Sequence, residues 1–437
     1  MYEQDHPGNR IGAIEDIQEL DNVFRLRASH AGAARLVLKS ETPLLIVSAQ
    51  GATAHLRPGW DGTLGYSHYG LELSIAAPGD VVIILRSVPP PNAHEPFTDA
   101  ELTSFHLSFA TRSSRFPDRL PEFSHWQAAW RQNLAGWLMG GPLPQRVPLE
   151  PTVTETKVYP AFTLYRVEYH SQHDRTNVAL LSLPHGVPKA PLLLALHGHE
   201  NGWGEASESA YTMGNADDFC AYFAERGWAV LQPATMGHEL QYPTWTLQGQ
   251  WSWDAMTAID CAATFPAIDM QGVAVCGLST GAHLAMHLLA LDARIKAGVV
   301  GCIFGTWHHY RRLRIPPHCD CGVVAQLSPH IEQCDWAALA APKPVQFQHG
   351  RKDASFCPGA DPALLDLKWN TAVLPATEYE AAFAEVRRAY RLAGAPDDTD
   401  TRFHDGPHCV DSAAAFEWLS KKLISRSDHG RLVGEQK

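Results

Sequence analysis

Three residues that together can perform nucleophilic catalysis occur in the second half of the chain, in the order serine, aspartate and histidine. They are Ser279, Asp353 and His408. In such a triad a neutral imidazole takes the serine proton, and the carboxylate fixes the imidazole tautomer and stabilises the imidazolium that forms. The residue types therefore predict covalent chemistry on an acyl group, with Ser279 as the nucleophile.

The surroundings of Ser279 have the pattern of a sharp turn from a strand into a helix. An apolar segment, Gly272–Cys276, precedes Gly277-Leu-Ser279-Thr-Gly281, and the helical segment Thr280–Leu291 follows. The first glycine avoids a side-chain clash in a strained backbone, and the second lets the helix pack closely. A helix N-cap serine would not need both glycines. We expect the backbone N–H of Thr280 to stabilise an oxyanion.

Asp353 and His408 both follow predicted strands, as the acid and the base of such a triad must. A surface turn would also suit Asp353, and Asp405 is an alternative acid. His404 is an alternative base, but it falls at the end of a strand. His408 lies in the loop between the last strand and the last helix, which is the position that the chemistry requires.

A second oxyanion donor is expected after the apolar strand Pro191–His197. The segment that follows is His197-Gly-His199-Glu200. The glycine lets the backbone turn, so that an N–H of His199 or Glu200 can join that of Thr280. The sequence does not decide between the two donors.

Other histidines and cysteines give weaker indications of a metal site. His283 and His287 are four residues apart on the helix after Ser279, a spacing that can bind a metal, but a satisfied or partly exposed helix face is favoured. The segment His318-Cys-Asp-Cys321 lacks a second Cys or His pair at zinc-finger spacing, which favours a loop with buried thiols. No metal or cofactor is expected.

Aromatic residues near strand ends are candidates for the substrate pocket. Trp307 and His308, with His309 and Tyr310, follow a predicted strand, and the loop from Trp307 to about Gln333 is expected to complete the pocket. Aromatic residues between Trp245 and Trp253 are weaker candidates.

Composition limits the classes of partner. The 437 residues are 45% hydrophobic and 19% charged, as in a soluble globular protein of two or three domains. A net charge of -12 with scattered basic residues argues against nucleic acid or an anionic membrane surface and favours a small or neutral substrate. The triad makes a small-molecule ester the expected one. Without a signal peptide pattern or a long apolar run, the protein is expected to be cytoplasmic, with its nine cysteines reduced. The oligomeric state stays open, and a homo-oligomer is one alternative.

Three segments are expected along the chain. Residues 1–115 contain short β-rich runs and turn signals and predict a sandwich-like or jelly-roll-like domain, whose expected role is packing. Residues 116–151 carry a bridging helix from Ser124, which ends at Gly140. A stripe of apolar residues should dock this helix on the C-terminal domain, namely Trp126, Trp130, Leu134, Trp137 and Leu138.

Residues 152–437 alternate predicted strands and helices, the pattern of a doubly wound, mostly parallel sheet. Active groups gather at the carboxyl ends of such strands. The predicted strands are Thr163–Tyr169, Asn177–Leu183, Pro191–His197, Trp228–Leu231, Gly272–Cys276, Ala297–Gly301, Pro344–Phe347 and Thr401–Phe403. The predicted helices are Asp217–Arg226, Ser252–Thr264, Thr280–Leu291, Ala376–Leu392 and Ser412–Ile424.

The motifs from about Trp126 to Leu423 resemble the α/β-hydrolase superfamily, and within it dienelactone-hydrolase-like and acetyl xylan esterase-like serine hydrolases. The resembling segments include Leu196–Gly202, Trp253–Asp260, Gly277–Gly281, Leu291–Ala297, His318–Cys321, Ala341–Val345 and Gly406–His408. The resemblance implies an α/β-hydrolase fold and hydrolysis of acetyl or other short acyl esters, as on sugars, or of lactones. Dienelactone hydrolases use cysteine where this chain has Ser279, and the N-terminal region lies outside the resemblance.

The sequence thus predicts a carboxylic-ester hydrolase that works through an acyl-enzyme on Ser279. A peptidase or amidase of the prolyl-oligopeptidase type is an alternative, but the propeller of that group has repeated blades, and no repeat of that period is visible. A non-catalytic binding protein that keeps the fold is a second alternative, which has no need of all three triad residues.

Overall fold

The computed structural model of the chain describes residues 2, 9, 11–20, 23–39, 44–59, 68–87, 116–198, 219–235, 242, 244–312, 331–364 and 372–434. Two compact units are present. The first consists of Met1–Thr111, Trp307–His330 and Leu365–Ala372, and the second of Arg112–Thr306, Ile331–Leu364 and Val373–Lys437. The segment His318–Cys321 lies outside the described residues.

The described part of the first unit forms two antiparallel sheets whose inner faces share one core. Its strands are β1 (Ile14–Leu20), β2 (Val23–Ala28), β3 (Gly32–Lys39), β4 (Leu44–Gln50), β5 (Ala52–Gly59), β6 (His68–Ile75) and β7 (Gly79–Ser87). The sheet orders are β1-β2-β7-β4 and β3-β6-β5. Buried side chains from both sheets, among them Phe24, Leu36, Leu71 and Ile83, belong to one cluster, so the predicted sandwich is confirmed.

The second unit opens with a helix and then alternates strands and helices. Its strands are buried on both faces near the centre, since helices cover a mostly parallel sheet. The elements that follow β7 in chain order are α1 (Leu120–Met139), β8 (Thr152–Val158), β9 (Phe162–Gln172), β10 (Arg175–Pro184), β11 (Ala190–Leu196), α2 (Phe219–Ala224), β12 (Ala229–Pro233), α3 (Leu247–Ala262), β13 (Ile268–Leu278), α4 (Thr280–Leu291), β14 (Ile295–Gly301), α5 (Trp307–Arg312), α6 (Gln333–Ala338), β15 (Val345–Gly350), α7 (Ala376–Leu392), β16 (Thr399–His404) and α8 (Ser412–Gly434). Of these, α5 belongs to the first unit.

The sheet of the second unit has the order β16-β15-β14-β13-β11-β12-β10-β9-β8. The strands from β16 to β12 run parallel, and β10, β9 and β8 continue the sheet antiparallel. The predicted doubly wound sheet is therefore confirmed. After β11 the chain adds β12 on one side and β13 on the other, so the carboxyl end of β11 is a topological switch point, where ligands bind in open α/β sheets.

Helix α1 packs on the rest of the second unit through polar as well as apolar contacts. The Gln127 amide donates to the carbonyl oxygens of Ala338 at 2.9 Å and Ala341 at 2.8 Å, and Arg131 donates to that of Leu339 at 2.6 Å. These bonds confirm that the helix docks on the C-terminal part of the chain. The three tryptophans of its stripe are half-buried. Trp126 stacks on Trp130, and Trp130 meets Trp137 edge to face.

Several elements differ from the sequence prediction, among them β8 and α3. Strand β8 was not predicted, because all seven of its residues are exposed and no apolar alternation marks it. Helix α3 begins at Leu247 rather than Ser252, with Thr246 as its N-cap. Among the described residues, no helix combines the length and the hydropathy that crossing a bilayer requires.

Candidate active site

Ser279 lies between the end of β13 and the start of α4, in a backbone conformation that non-glycine residues rarely adopt. Its φ is 54° and its ψ is -120°. Strain of this kind costs about 1–3 kcal/mol and persists only where the surroundings impose it. Here the Ser279 N–H donates to the carbonyl of Gly301 at 2.9 Å, and the Ser279 carbonyl accepts from Ala282 N–H at 2.9 Å. Hydrogen bonds at both the N–H and the carbonyl of Ser279 therefore fix the backbone of this turn.

The two glycines of the elbow are required by close backbone contacts. A Cβ atom on Gly277 would lie 2.2 Å from the carbonyl oxygen of Gly281. A Cβ atom on Gly281 would lie 2.3 Å from the carbonyl oxygen of Leu196 and 2.4 Å from that of His197. The second glycine thus lets α4 approach the carboxyl end of β11, as the sequence predicts.

Asp353 and His408 form a hydrogen-bonded pair. Nδ1 of His408 donates to Oδ2 of Asp353 at 2.6 Å, although the residues are 55 positions apart in the chain. Oδ1 of Asp353 accepts from the backbone N–H groups of Ser355 at 3.2 Å and Phe356 at 3.3 Å. The structure thus brings together the two residues that the sequence selects as acid and base.

The carboxyl of Asp353 has a lowered pKa despite its burial. Desolvation by itself raises the pKa, but His408 and the backbone N–H groups of Phe356 and Ser355 outweigh it. The group is therefore ionised at neutral pH. It can hold His408 in the tautomer that carries its proton on Nδ1.

The alternative acid and base have other roles. His404 accepts from the Gly406 N–H at 3.1 Å and donates from Nε2 to the carbonyl of Cys409 at 3.0 Å, so it braces the loop that carries His408. Asp405 is 95% exposed and lies 3.5 Å from Arg351. Neither takes the place of His408 or Asp353 in the pair.

Cys302 connects the elbow with the acid–base pair. It directly follows Gly301, which accepts the Ser279 N–H. Its Sγ and one ligand atom each of Asp353 and His408 lie within 4.8 Å of one another. Burial, and then the charge of Asp353, raise the pKa of the Cys302 thiol well above its usual range, so it is a neutral thiol that donates to the carbonyl of Cys409 at 3.3 Å.

Cys302 was not predicted as a site residue. The one signal for it was its place directly after a predicted strand, Ala297–Gly301. Its φ of 54°, also unusual for a residue with a side chain, appears only in the structure.

The backbone at the end of β11 adjoins the candidate nucleophile. A Cβ atom on Gly198 would lie 3.6 Å from Cβ of Ser279, an ordinary van der Waals contact. The preceding His197 is buried and donates from Nδ1 to the Gly198 carbonyl at 2.8 Å. The two alternative oxyanion donors, His199 and Glu200, lie outside the described residues. Thr280 is buried at the first position of α4, where helix N–H groups have no intrahelical partner.

The remaining predicted pocket residues have varied environments. Trp307 is fully buried and His308 half-buried in α5 of the first unit, and their pocket role stays a prediction. Trp251 and Trp253 are each 1% exposed, and the indole N–H of Trp253 donates to the Ser171 carbonyl of β9 at 2.8 Å. Trp253 therefore belongs to the core between α3 and the sheet, and Trp251 is equally buried.

The histidine pair on α4 lies in the core. His283 and His287 are fully buried, and their rings lie 5.2 Å and 4.5 Å from that of Trp336. Nδ1 of His287 is 3.2 Å from Oγ of Ser252. Burial, and then His283, lower the pKa of His287 well below its usual range, so the ring is neutral. Within the described part of the chain, these two histidines are not in a group of three or more metal-ligand side chains.

Comparisons with known proteins rest on structure alone, because neither a family model nor a curated protein sequence matches the chain. A candidate acetyl xylan esterase from Bacteroides fragilis superimposes with a TM-score of 0.52 and 16% identity, over 70% of this chain and 82% of that one. A glucuronoyl esterase from Solibacter usitatus has a TM-score of 0.51 and 15% identity, over 68% of this chain and 93% of that one. A glucuronoyl esterase from Teredinibacter turnerae has a TM-score of 0.51 and 14% identity, over 73% of this chain and 88% of that one. The likeness establishes the α/β-hydrolase fold.

Proposed function

We propose that this chain, an α/β-hydrolase by fold, is a serine carboxylic-ester hydrolase that forms an acyl-enzyme on Ser279. The observation that carries the proposal is the hydrogen bond between His408 and Asp353, a pair that Gly301 and Cys302 connect to the strained elbow of Ser279. A buried carboxylate that fixes an imidazole tautomer next to such a serine is the arrangement that nucleophilic acyl transfer needs.

Each group has a defined part in the reaction. With its proton held on Nδ1 by Asp353, His408 has a lone pair on Nε2 that accepts the hydroxyl proton of Ser279 as Oγ attacks the acyl carbonyl. The tetrahedral intermediate collapses, and the alcohol leaves with the proton from Nε2. Water then attacks the acyl-enzyme, with His408 again as the base, and releases the acid and Ser279.

The negative charge on the carbonyl oxygen needs backbone donors at fixed positions. The Thr280 N–H at the start of α4 supplies one, and an N–H of His199 or Glu200 supplies the other. Donors that are oriented before the reaction stabilise the oxyanion without reorganising, and one of them contributes about 2.7–4 kcal/mol to the barrier reduction. No step of this reaction requires a metal or an organic cofactor.

The proposed substrates are small esters, either acetyl or other short acyl esters, including those of sugars, or lactones. Support comes from the structurally similar proteins named above, a candidate acetyl xylan esterase and two glucuronoyl esterases. A net charge of -12 also suits a neutral rather than a polyanionic substrate. Trp307 and His308 stay candidate pocket residues.

A substrate panel with one active-site variant tests the proposal. Wild type and Ser279→Ala would be assayed on aryl esters of increasing acyl length, an acetylated sugar, a lactone and an aryl amide. Ser124→Ala, at an exposed serine of α1, is the matched control. We expect ester or lactone turnover by wild type and the control, labelling of Ser279 by a fluorophosphonate, and neither property in Ser279→Ala.

The same panel separates the alternatives. Turnover of the amide without any ester would favour a peptidase or amidase, although the described part of the first unit forms sheets of four and three strands rather than repeated blades. If no substrate were turned over and the fluorophosphonate did not label Ser279, a non-catalytic binding protein would be favoured. Full activity in Ser279→Ala would exclude the acyl-enzyme.

A further inference from the structure

His349, in β15, is a buried histidine that the reaction scheme does not use. It is 1% exposed, and its two ring nitrogens have partners in two places, the turn after β15 and helix α7. Nδ1 lies 2.9 Å from the carbonyl oxygen of Phe356, and Nε2 lies 3.2 Å from the hydroxyl of Tyr379 on α7. The ring also stacks on Phe403 of β16, with centroids 5.6 Å apart.

The partners determine which nitrogen of His349 carries the proton. Burial lowers the pKa of His349 to about 4, against the opposing effects of the Phe356 carbonyl and the Asp353 carboxylate, so the ring is neutral at pH 7. A carbonyl oxygen can only accept, and therefore Nδ1 is the protonated atom. Nε2 then has a lone pair, which must accept from the Tyr379 hydroxyl.

The direction of the next bond follows in the same way. The Tyr379 oxygen lies 3.0 Å from Oγ1 of Thr401 on β16. Because the Tyr379 proton points to His349, Thr401 must be the donor to Tyr379. The result is a chain of three hydrogen bonds with one direction, from Thr401 through Tyr379 and His349 to the Phe356 carbonyl.

Phe356 is the residue through which this chain of bonds reaches the acid–base pair. Its backbone N–H donates to Oδ1 of Asp353 at 3.3 Å. Its ring lies 5.7 Å from the ring of His408, centroid to centroid. Any shift of Phe356 therefore changes both a hydrogen bond to the acid and a ring contact with the base.

We infer that His349 is a positioning residue, which clamps the Phe356 carbonyl and thereby fixes the turn that orients Asp353 toward His408. The catalytic consequence rests on the proposed function, whereas the clamp itself does not. If His349 only filled space in the core, an apolar ring at this position would serve equally well, and the hydrogen bonds of its two nitrogens would have no effect on Asp353.

Two amide variants distinguish the clamp from simple packing. In His349→Asn the side-chain NH₂ group takes approximately the place of Nδ1 and can still donate to Phe356. In His349→Gln the amide extends toward the position of Nε2 and loses that donor. His349→Phe tests space-filling alone, and Tyr379→Phe removes the donor to Nε2 while leaving His349 in place.

The readouts are kcat and KM on the best ester, and the low-field ¹H resonance of the His408 Nδ1 proton, which does not depend on turnover. We expect His349→Asn to keep kcat within about threefold, and His349→Gln and His349→Phe to lose roughly 10- to 100-fold in kcat with little change in KM, as misplaced catalytic groups do. The resonance should persist in the Asn variant and shift or broaden in the other two. Tyr379→Phe should alter the ¹⁵N shifts of His349.

Specific results would overturn the inference. These are wild-type kcat and an unchanged His408 resonance in both His349→Gln and His349→Phe, or equal losses in the Asn and Gln variants. If circular dichroism shows that a His349 variant does not fold, the ¹⁵N shifts of His349 in wild type and in Tyr379→Phe still test the clamp. The clamp requires the proton on Nδ1, so a wild-type ring protonated on Nε2 would exclude it. Should wild type hydrolyse no ester, the proposed function fails, while the resonance comparison tests the clamp separately.

Discussion

His408 and Asp353 share a hydrogen bond of 2.6 Å but differ in their access to solvent, since 37% of the His408 side chain is exposed and 6% of the Asp353 side chain. The base can thus reach a substrate while the acid is shielded from water. Shielding strengthens the attraction between the carboxylate and an imidazolium, because less solvent screens the charges. The pair is therefore built to favour charge formation on His408 during proton transfer.

Replacing Asp353 by asparagine should impair catalysis while preserving the fold. The amide would donate rather than accept toward His408 and so favour the wrong imidazole tautomer, at an expected cost of roughly 10³- to 10⁴-fold in kcat. Asp405→Asn, at an exposed aspartate of the neighbouring loop, should keep wild-type kcat. Steady-state kinetics on the best ester would measure both, and an equal loss in the two variants would argue against Asp353 as the triad acid.

The strain at Ser279 should appear as a gain of stability when glycine replaces it. Glycine adopts a φ of 54° at no steric cost, whereas alanine keeps the Cβ clash. We expect Ser279→Gly to be about 1–2 kcal/mol more stable than Ser279→Ala, with no hydrolysis by either. Urea unfolding followed by circular dichroism gives the difference. An alanine variant at least as stable as the glycine variant would show that the turn is not strained.

Gly281→Ala should displace the elbow. The added Cβ would meet the Leu196 carbonyl oxygen at 2.3 Å, and backbone on both sides leaves little room to yield. We expect a loss of roughly 1–3 kcal/mol in unfolding free energy and a fall in kcat.

Gly136→Ala is the matched control for Gly281→Ala. It lies inside α1 with no atom within 4 Å of its added Cβ, and it should gain about 0.5–1 kcal/mol from helix propensity. If both substitutions changed the free energy of unfolding in the same direction relative to wild type, the argument from close contact would be contradicted.

Stability should fall in acid partly through His349. Its pKa is about 4 in the folded protein against 6.5 without burial, so between these values the unfolded chain binds a proton that the folded protein does not. This contribution is fully present above pH 6.5 and falls by roughly 3 kcal/mol as the pH drops to about 4. Unfolding free energies of wild type and the non-titrating His349→Asn should therefore converge on acidification. Parallel curves would mean that His349 titrates normally.

Local sequence patterns predict a large part of the fold. Helices α4 and α7 have the predicted bounds, because their apolar periodicity and end signals are contained within a dozen or so residues. Helix α1 instead begins at Leu120, four residues before the predicted Ser124, since Arg119 makes no side-chain cap that could mark the start. Strand β8 escaped prediction because an exposed edge strand has no buried face to leave a pattern.

The sequence by itself determined the elbow at Ser279 and the loop positions of Asp353 and His408, because turn geometry and strand ends depend on neighbouring residues. The loop position also favoured His408 over His404, and the structure places His408 in contact with Asp353. Only the tertiary structure showed that Cys302 and His349 adjoin the pair. These contacts depend on the parallel register of β15 and β16, in which Gly350 pairs with His404. Such a register joins segments about fifty residues apart through sheet packing, which no local pattern encodes.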